Sequence, residues 1–124
     1  MIGQNETLTR GMIIDVNLNP TKGSETGKER PCIIVTNDAY NTNPNLPIFQ
    51  VIPITEWNSR KEKILTNVVI RPSATNGLTK KSIADCLQTR PVDISYRFTG
   101  IRGSVSAGVL NKIDQALLTL FELE

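Results

Sequence analysis

From Gly11 the chain alternates, with Met12, Ile14, Val16 and Leu18 on one side and Ile13, Asp15 and Asn17 on the other. A two-residue period of this kind predicts a half-buried strand. The stretch Asn19–Glu29 holds two glycines and a proline, turn chemistry that ends the strand. After it, Cys32-Ile33-Ile34-Val35-Thr36 is a continuous, largely β-branched run, which predicts a second strand paired antiparallel to the first. A connection of about a dozen residues is long for a compact domain, and such loops tend to be functional or mobile. Asn41–Pro47 reads as another connection and Ile48–Thr55 as a third strand, in which Pro53 predicts an edge or a bulge. Glu56–Lys63 is polar and fits a turn or a short helix, and Val68-Val69-Ile70 supplies a fourth strand. Asn76-Gly77 marks a tight turn. Ser82–Gln88 and Arg97–Val105 are further strands, the second with bulges expected at Gly100 and Gly103.

Only the end of the chain has helical spacing. Beyond a cap at Ser106, residues Val109, Leu110, Ile113, Ala116, Leu117, Leu120 and Phe121 recur at three- and four-residue steps, so one face can dock on a sheet. The fold class that follows is mainly β: a bent antiparallel sheet closing toward a small barrel, covered by one C-terminal α-helix.

The 124 residues suit a single domain, 1–124. With 39% hydrophobic and 21% charged residues the chain has ordinary globular composition. No apolar run approaches the ~20 residues of a membrane span, and the polar start lacks a signal-peptide core, so the expected compartment is the cytoplasm. Cys32 and Cys86 lie far apart within apolar stretches, the pattern of reduced core thiols and not of a disulfide or metal site. A net charge of +2 does not by itself announce a nucleic-acid partner, although cations concentrate in the middle of the chain and Asp114, Glu122 and Glu124 gather at its end.

The chain has no histidine, which removes every imidazole base, acid or zinc ligand. Its carboxylates are scattered singly, without the clustering of a two-metal nuclease. Phosphate-binding, nucleophile-elbow and dinucleotide motifs are absent. Enzymatic chemistry here falls to arginine, lysine, threonine, serine or carboxylate, with no cofactor expected.

Several segments together resemble a known family. Arg10-Gly11, then Leu18-Asn19-Pro20-Thr21-Lys22-Gly23-Ser24-Glu25, then Arg30-Pro31 opening a second strand, then Thr36-Asn37-Asp38-Ala39-Tyr40-Asn41 resemble the N-terminal signature of the MazF/PemK toxins. Pro53-Ile54-Thr55, Gly77-Leu78, Ser82 and Gln88-Thr89-Arg90 with Asp93 resemble later family segments. The resemblance implies an SH3-like barrel, a homodimer and metal-independent, sequence-specific cleavage of single-stranded RNA. It also implies inhibition by a cognate antitoxin with an acidic, disordered tail, and DNA contact only as the toxin–antitoxin complex.

RNA carries its own nucleophile, the 2′-hydroxyl, so the protein need only position the strand, take one proton and stabilise the phosphorane. By resemblance Arg30 and Thr55 match the family's catalytic arginine and threonine, and Glu25 is the candidate for proton removal. Arg30 would grip two phosphoryl oxygens with its planar fork. Lys28, Asn37, Trp57, Gln88 and Arg90 are the candidate RNA contacts, Trp57 as a stacking platform. Leu87 stands where one branch of the family has an acidic base before the glutamine, and that branch also uses a histidine, so the arginine–threonine scheme is the better template. Two other readings stay open on sequence alone: a noncatalytic gyrase-inhibiting toxin of the same fold, and an inactive RNA-binding relative.

Overall fold

A computed structural model describes residues 7–123. Seven strands form one antiparallel sheet: β1 Met12–Asn17, β2 Glu29–Ile34, β3 Ile48–Glu56, β4 Asn67–Ile70, β5 Ser82–Asp85, β6 Arg90–Asp93 and β7 Phe98–Ser104. Their order is β4-β5-β3-β2-β1-β7, with β6 beside β3. The sheet bends without closing, so among the described residues β4, β6 and β7 each keep an unpaired side. Three single-turn helices punctuate it, α1 Asp38–Asn41, α2 Ser59–Glu62 and α3 Ile94–Arg97, before the long α4 Ala107–Phe121. The Ser106 side chain accepts from the Val109 amide and caps α4 as expected.

The sheet has an apolar core on each face, which the alternation in β1 conceals. Ile13, Ile33, Ile52 and Ile54 pack beneath Ile113 and Ala116 of α4. Their chain neighbours Ile14, Cys32, Ile34 and Val51 point the other way, into a core with Val16, Phe49, Val92 and Ile94. β1 and β2 are thus buried on both sides, and for that reason Cys32-Ile33-Ile34 is an unbroken apolar run. Arg10 ties α4 to the sheet, donating from Nε to the Val35 carbonyl at 3.0 Å and pairing through its guanidinium with Asp114.

Three expectations change. Pro53 lies in the centre of the sheet and not at an edge or bulge: one side of β3 meets β2, and the other switches from β6, which ends at Val51, to β5, which begins at Ile54. Proline sits at that seam, where a missing N–H is best tolerated. The predicted strand Ser82–Gln88 stops at Asp85 and turns into a 3₁₀ turn, Cys86–Gln88. The bulges fall one residue before the two glycines: Arg102 and Thr99 of β7 are skipped in the pairing with β1. Of the two readings of Glu56–Lys63, the short helix is the one formed.

Candidate active site

The two strands that carry Arg30 and Thr55 are paired at Cys32↔Pro53. Continued by two residues, that register sets Arg30 opposite Thr55, on one face of the sheet. The ladder stops short of them because Pro31 has no N–H to donate, while β3 goes on to pair with β5 through Thr55↔Ile83. The strands part, and the gap is a pocket of about 210 Å³ lined by Arg30, Pro31, Ile54, Thr55, Glu56, Leu78, Thr79, Lys80, Ser82 and Arg102.

Arg30 is half-buried, and its Nε donates to the Gly27 carbonyl at 3.2 Å. That bond fixes the side chain yet uses only the inner edge of the guanidinium. Among the described residues Arg30 has no acidic partner, unlike the other cations of the pocket: Arg102 Nε is 2.6 Å from Asp15 Oδ1, and Lys80 Nζ is 3.8 Å from Glu56 Oε2. The bulge at Arg102 is what delivers that side chain, since an unpaired bulge residue is re-aimed out of the ladder. Thr55 Oγ1 accepts a hydrogen bond from Lys61 Nζ at 3.3 Å, and Lys61 Nζ also donates to the Glu56 carbonyl at 3.1 Å. Sequence reading missed Lys61, Glu56 and Arg102; nothing in the local pattern marks them, because a short helix, a strand end and a bulge bring them in.

Glu25 lies elsewhere. Its Oε1 accepts from the Lys22 amide at 2.8 Å, closing the tip of the loop between β1 and β2. It lines a second cleft of about 410 Å³ with Leu87, Gln88, Thr89, Arg90 and Pro91. Gln88 spends its amide within the protein, accepting from the Thr26 amide at 3.0 Å and donating to the Ser24 carbonyl at 2.9 Å. Arg90 donates to the Leu18 carbonyl at 3.1 Å. The Lys28 backbone closes the loop base through Leu18 and Asn19, leaving its side chain exposed. Much of the loop signature therefore builds the loop that holds Gly27, and Gly27 holds Arg30.

Trp57 is half-buried, with Lys81 Nζ 3.9 Å from the ring centroid and its Nε1 donating to Glu62 at 2.5 Å. One ring face is thus already occupied. Asn37 caps α1 by accepting from the Ala39 amide at 2.8 Å and does not line the pocket. Asp85, half-buried on β5, has its carboxyl raised above the usual range by burial, against the Gln88 amide and the Lys61 charge, which pull it down. Both cysteines are buried free thiols. Among the described residues no group of three His, Cys, Asp or Glu side chains could hold a metal ion, and no helix is long and apolar enough to cross a membrane.

Comparison with known proteins bears on the family and the fold. The chain is 33% identical over 113 residues to the endoribonuclease MazF9 of Mycobacterium tuberculosis, covering 89% of this chain and 92% of that protein. Its fold matches MazF of Deinococcus radiodurans with a TM-score of 0.78 at 20% identity, covering 95% and 99% of the two chains. It also matches a mycobacterial endoribonuclease solved with its cognate antitoxin, with a TM-score of 0.69 at 21% identity over 95% and 96% of the chains. A family model for PemK-like, MazF-like toxins of type II toxin–antitoxin systems matches residues 9–121, and the chain belongs to that family.

Proposed function

We propose that this toxin is an endoribonuclease that cuts single-stranded RNA at the Arg30–Thr55 pocket, leaving a 2′,3′-cyclic phosphate and a 5′-hydroxyl. The observation that carries the reading is the meeting of these two side chains in one cavity, where the Arg30 guanidinium has no acidic partner among the described residues. With Nε engaged by Gly27, the outer nitrogens of Arg30 face the non-bridging oxygens end-on and strengthen their hold as the phosphorane gains charge. Thr55 donates its hydroxyl to the same phosphate. The ribose O2′ gives its proton to a carboxylate, O2′ bonds to phosphorus, and the bond from phosphorus to O5′ breaks. O5′ takes a proton from that protonated carboxyl or from water to leave as the 5′-hydroxyl. Glu56 is the carboxylate lining this pocket, whereas Glu25 reaches it only if its loop swings; glutamine variants of each distinguish the two as proton acceptor. Lys28, Gln88 and Arg90 border the second cleft or its loop, a path for the flanking RNA. The basic wall of Arg30, Lys80 and Arg102 also suits an acidic antitoxin tail, and the active form is a homodimer, as the family resemblance implies.

The test is cleavage of a long mixed-sequence RNA followed by sequencing of the new 5′ ends. Arg30→Ala is expected to lower the rate by about 10²–10³-fold, the worth of one oxyanion donor, while the protein still folds. Activity should survive excess chelator, since the scheme runs on side chains and the ribose hydroxyl. Equal cleavage by the Arg30 variant, or strict dependence on a divalent ion, would refute the mechanism. A parent protein inert on RNA but active on a topoisomerase would favour a noncatalytic toxin of this fold.

A further inference from the structure

We propose that Lys61 is a positioning residue for the RNA cleavage assigned above: by donating to Thr55 it orients the threonine hydroxyl so that the O–H points toward the phosphate. The inference rests on that reading of the pocket. Lys61 Nζ lies 3.3 Å from Thr55 Oγ1. An ammonium has hydrogens and no lone pair, so in this contact the threonine oxygen must accept. The hydroxyl hydrogen is then committed elsewhere, and among the described residues it has no acceptor. A threonine hydroxyl left free rotates to suit its surroundings; this one accepts from Lys61 through one lone pair, which turns its O–H away from the ammonium and leaves it to donate to a ligand. That is the form an anionic phosphate requires.

The lysine is itself held. Its amide donates to Asn58 Oδ1 at 2.8 Å, the Asn67 side chain donates to its carbonyl at 3.1 Å, and Nζ also donates to the Glu56 carbonyl at 3.1 Å. The ammonium is thus anchored to the strand residue next to Thr55, and its reach across the sheet face is fixed by a single helical turn. A plain tether of α2 to β3 would be satisfied by the Glu56 carbonyl alone and gives no reason for the second contact on a pocket hydroxyl.

The experiment is single-turnover and steady-state cleavage of an RNA by the parent, Lys61→Met, Lys61→Gln, Lys61→Arg, Thr55→Ala and the double variant Thr55→Ala/Lys61→Met, with urea midpoints for each. Lys61→Met is expected to lower kcat about 10- to 100-fold, the worth of one hydrogen bond to a charged group, with KM within about twofold. Lys61→Arg should recover part of the loss and Lys61→Gln less, and Gln reports in place of Met if Met unfolds the chain. Because Lys61 acts through Thr55, the double variant should be no slower than Thr55→Ala alone. An active parent with Lys61→Met and Lys61→Gln unchanged, or a double variant slowed by the product of the two single losses, would overturn the inference and leave the nuclease reading standing. A parent inert on RNA would overturn both.

Discussion

Replacing Gly77 by alanine tests the contact that builds one wall of the pocket. Gly77 has φ +70, and a Cβ added there would lie 2.4 Å from the Arg102 carbonyl oxygen and 2.9 Å from its carbonyl carbon. Those are backbone atoms at the bulge of β7, so no side-chain rotation relieves the clash. Gly23 is an internal control: its φ is +55, but a Cβ there meets nothing within 4 Å. Both alanines pay for a left-handed backbone, about 1–2 kcal/mol. Only Gly77→Ala adds overpacking, about 1–3 kcal/mol. Equilibrium urea unfolding should therefore report about 2–5 kcal/mol lost for Gly77→Ala and about 1–2 kcal/mol for Gly23→Ala, with m unchanged. Since Leu78, Thr79, Lys80 and Arg102 all line the pocket, the Gly77 variant should also lose RNA cleavage at temperatures where it remains folded. Losses for the two variants within about 0.5 kcal/mol of each other would mean that the loop does not approach β7 as described.

Burial pushes the Cys32 and Cys86 thiols up to about 12, so neither should react with a disulfide reagent in native protein at pH 8, and both should react in urea; rapid modification of the native protein would contradict their placement. The unfolded thiols ionise near 9.0 and the folded ones near about 12, so stability should fall as pH rises through that window. Asp85 has a raised folded pKa, so the folded state binds its proton more tightly and loses stability as pH climbs from the acid range toward neutrality. Asp85→Asn should accordingly gain on the parent in urea midpoint as pH rises from 3.5 to 7; a difference independent of pH would refute the assignment.

The strands and the terminal helix were legible because their signals are local. Alternation along β1, the apolar run of β2 and the three- and four-residue spacing after Ser106 each report a face to be buried, and burial is what the fold provides. The signature around Pro20–Arg30 was legible as a family resemblance, and the register between β2 and β3 then set Arg30 opposite Thr55. Tertiary structure alone decided what surrounds them. That Pro53 belongs to a central strand follows from a change of partner on one side of β3, which no window of sequence contains. That Gln88 braces a loop, that Glu25 closes its tip in a separate cleft, that Glu56 and Arg102 line the pocket and that Lys61 reaches Thr55 all depend on contacts between residues remote in sequence or thrown together by a helical turn and a bulge. Periodicity specifies which side of a strand is wet or dry; which wet side chains converge is fixed only when the sheet bends and its strands part.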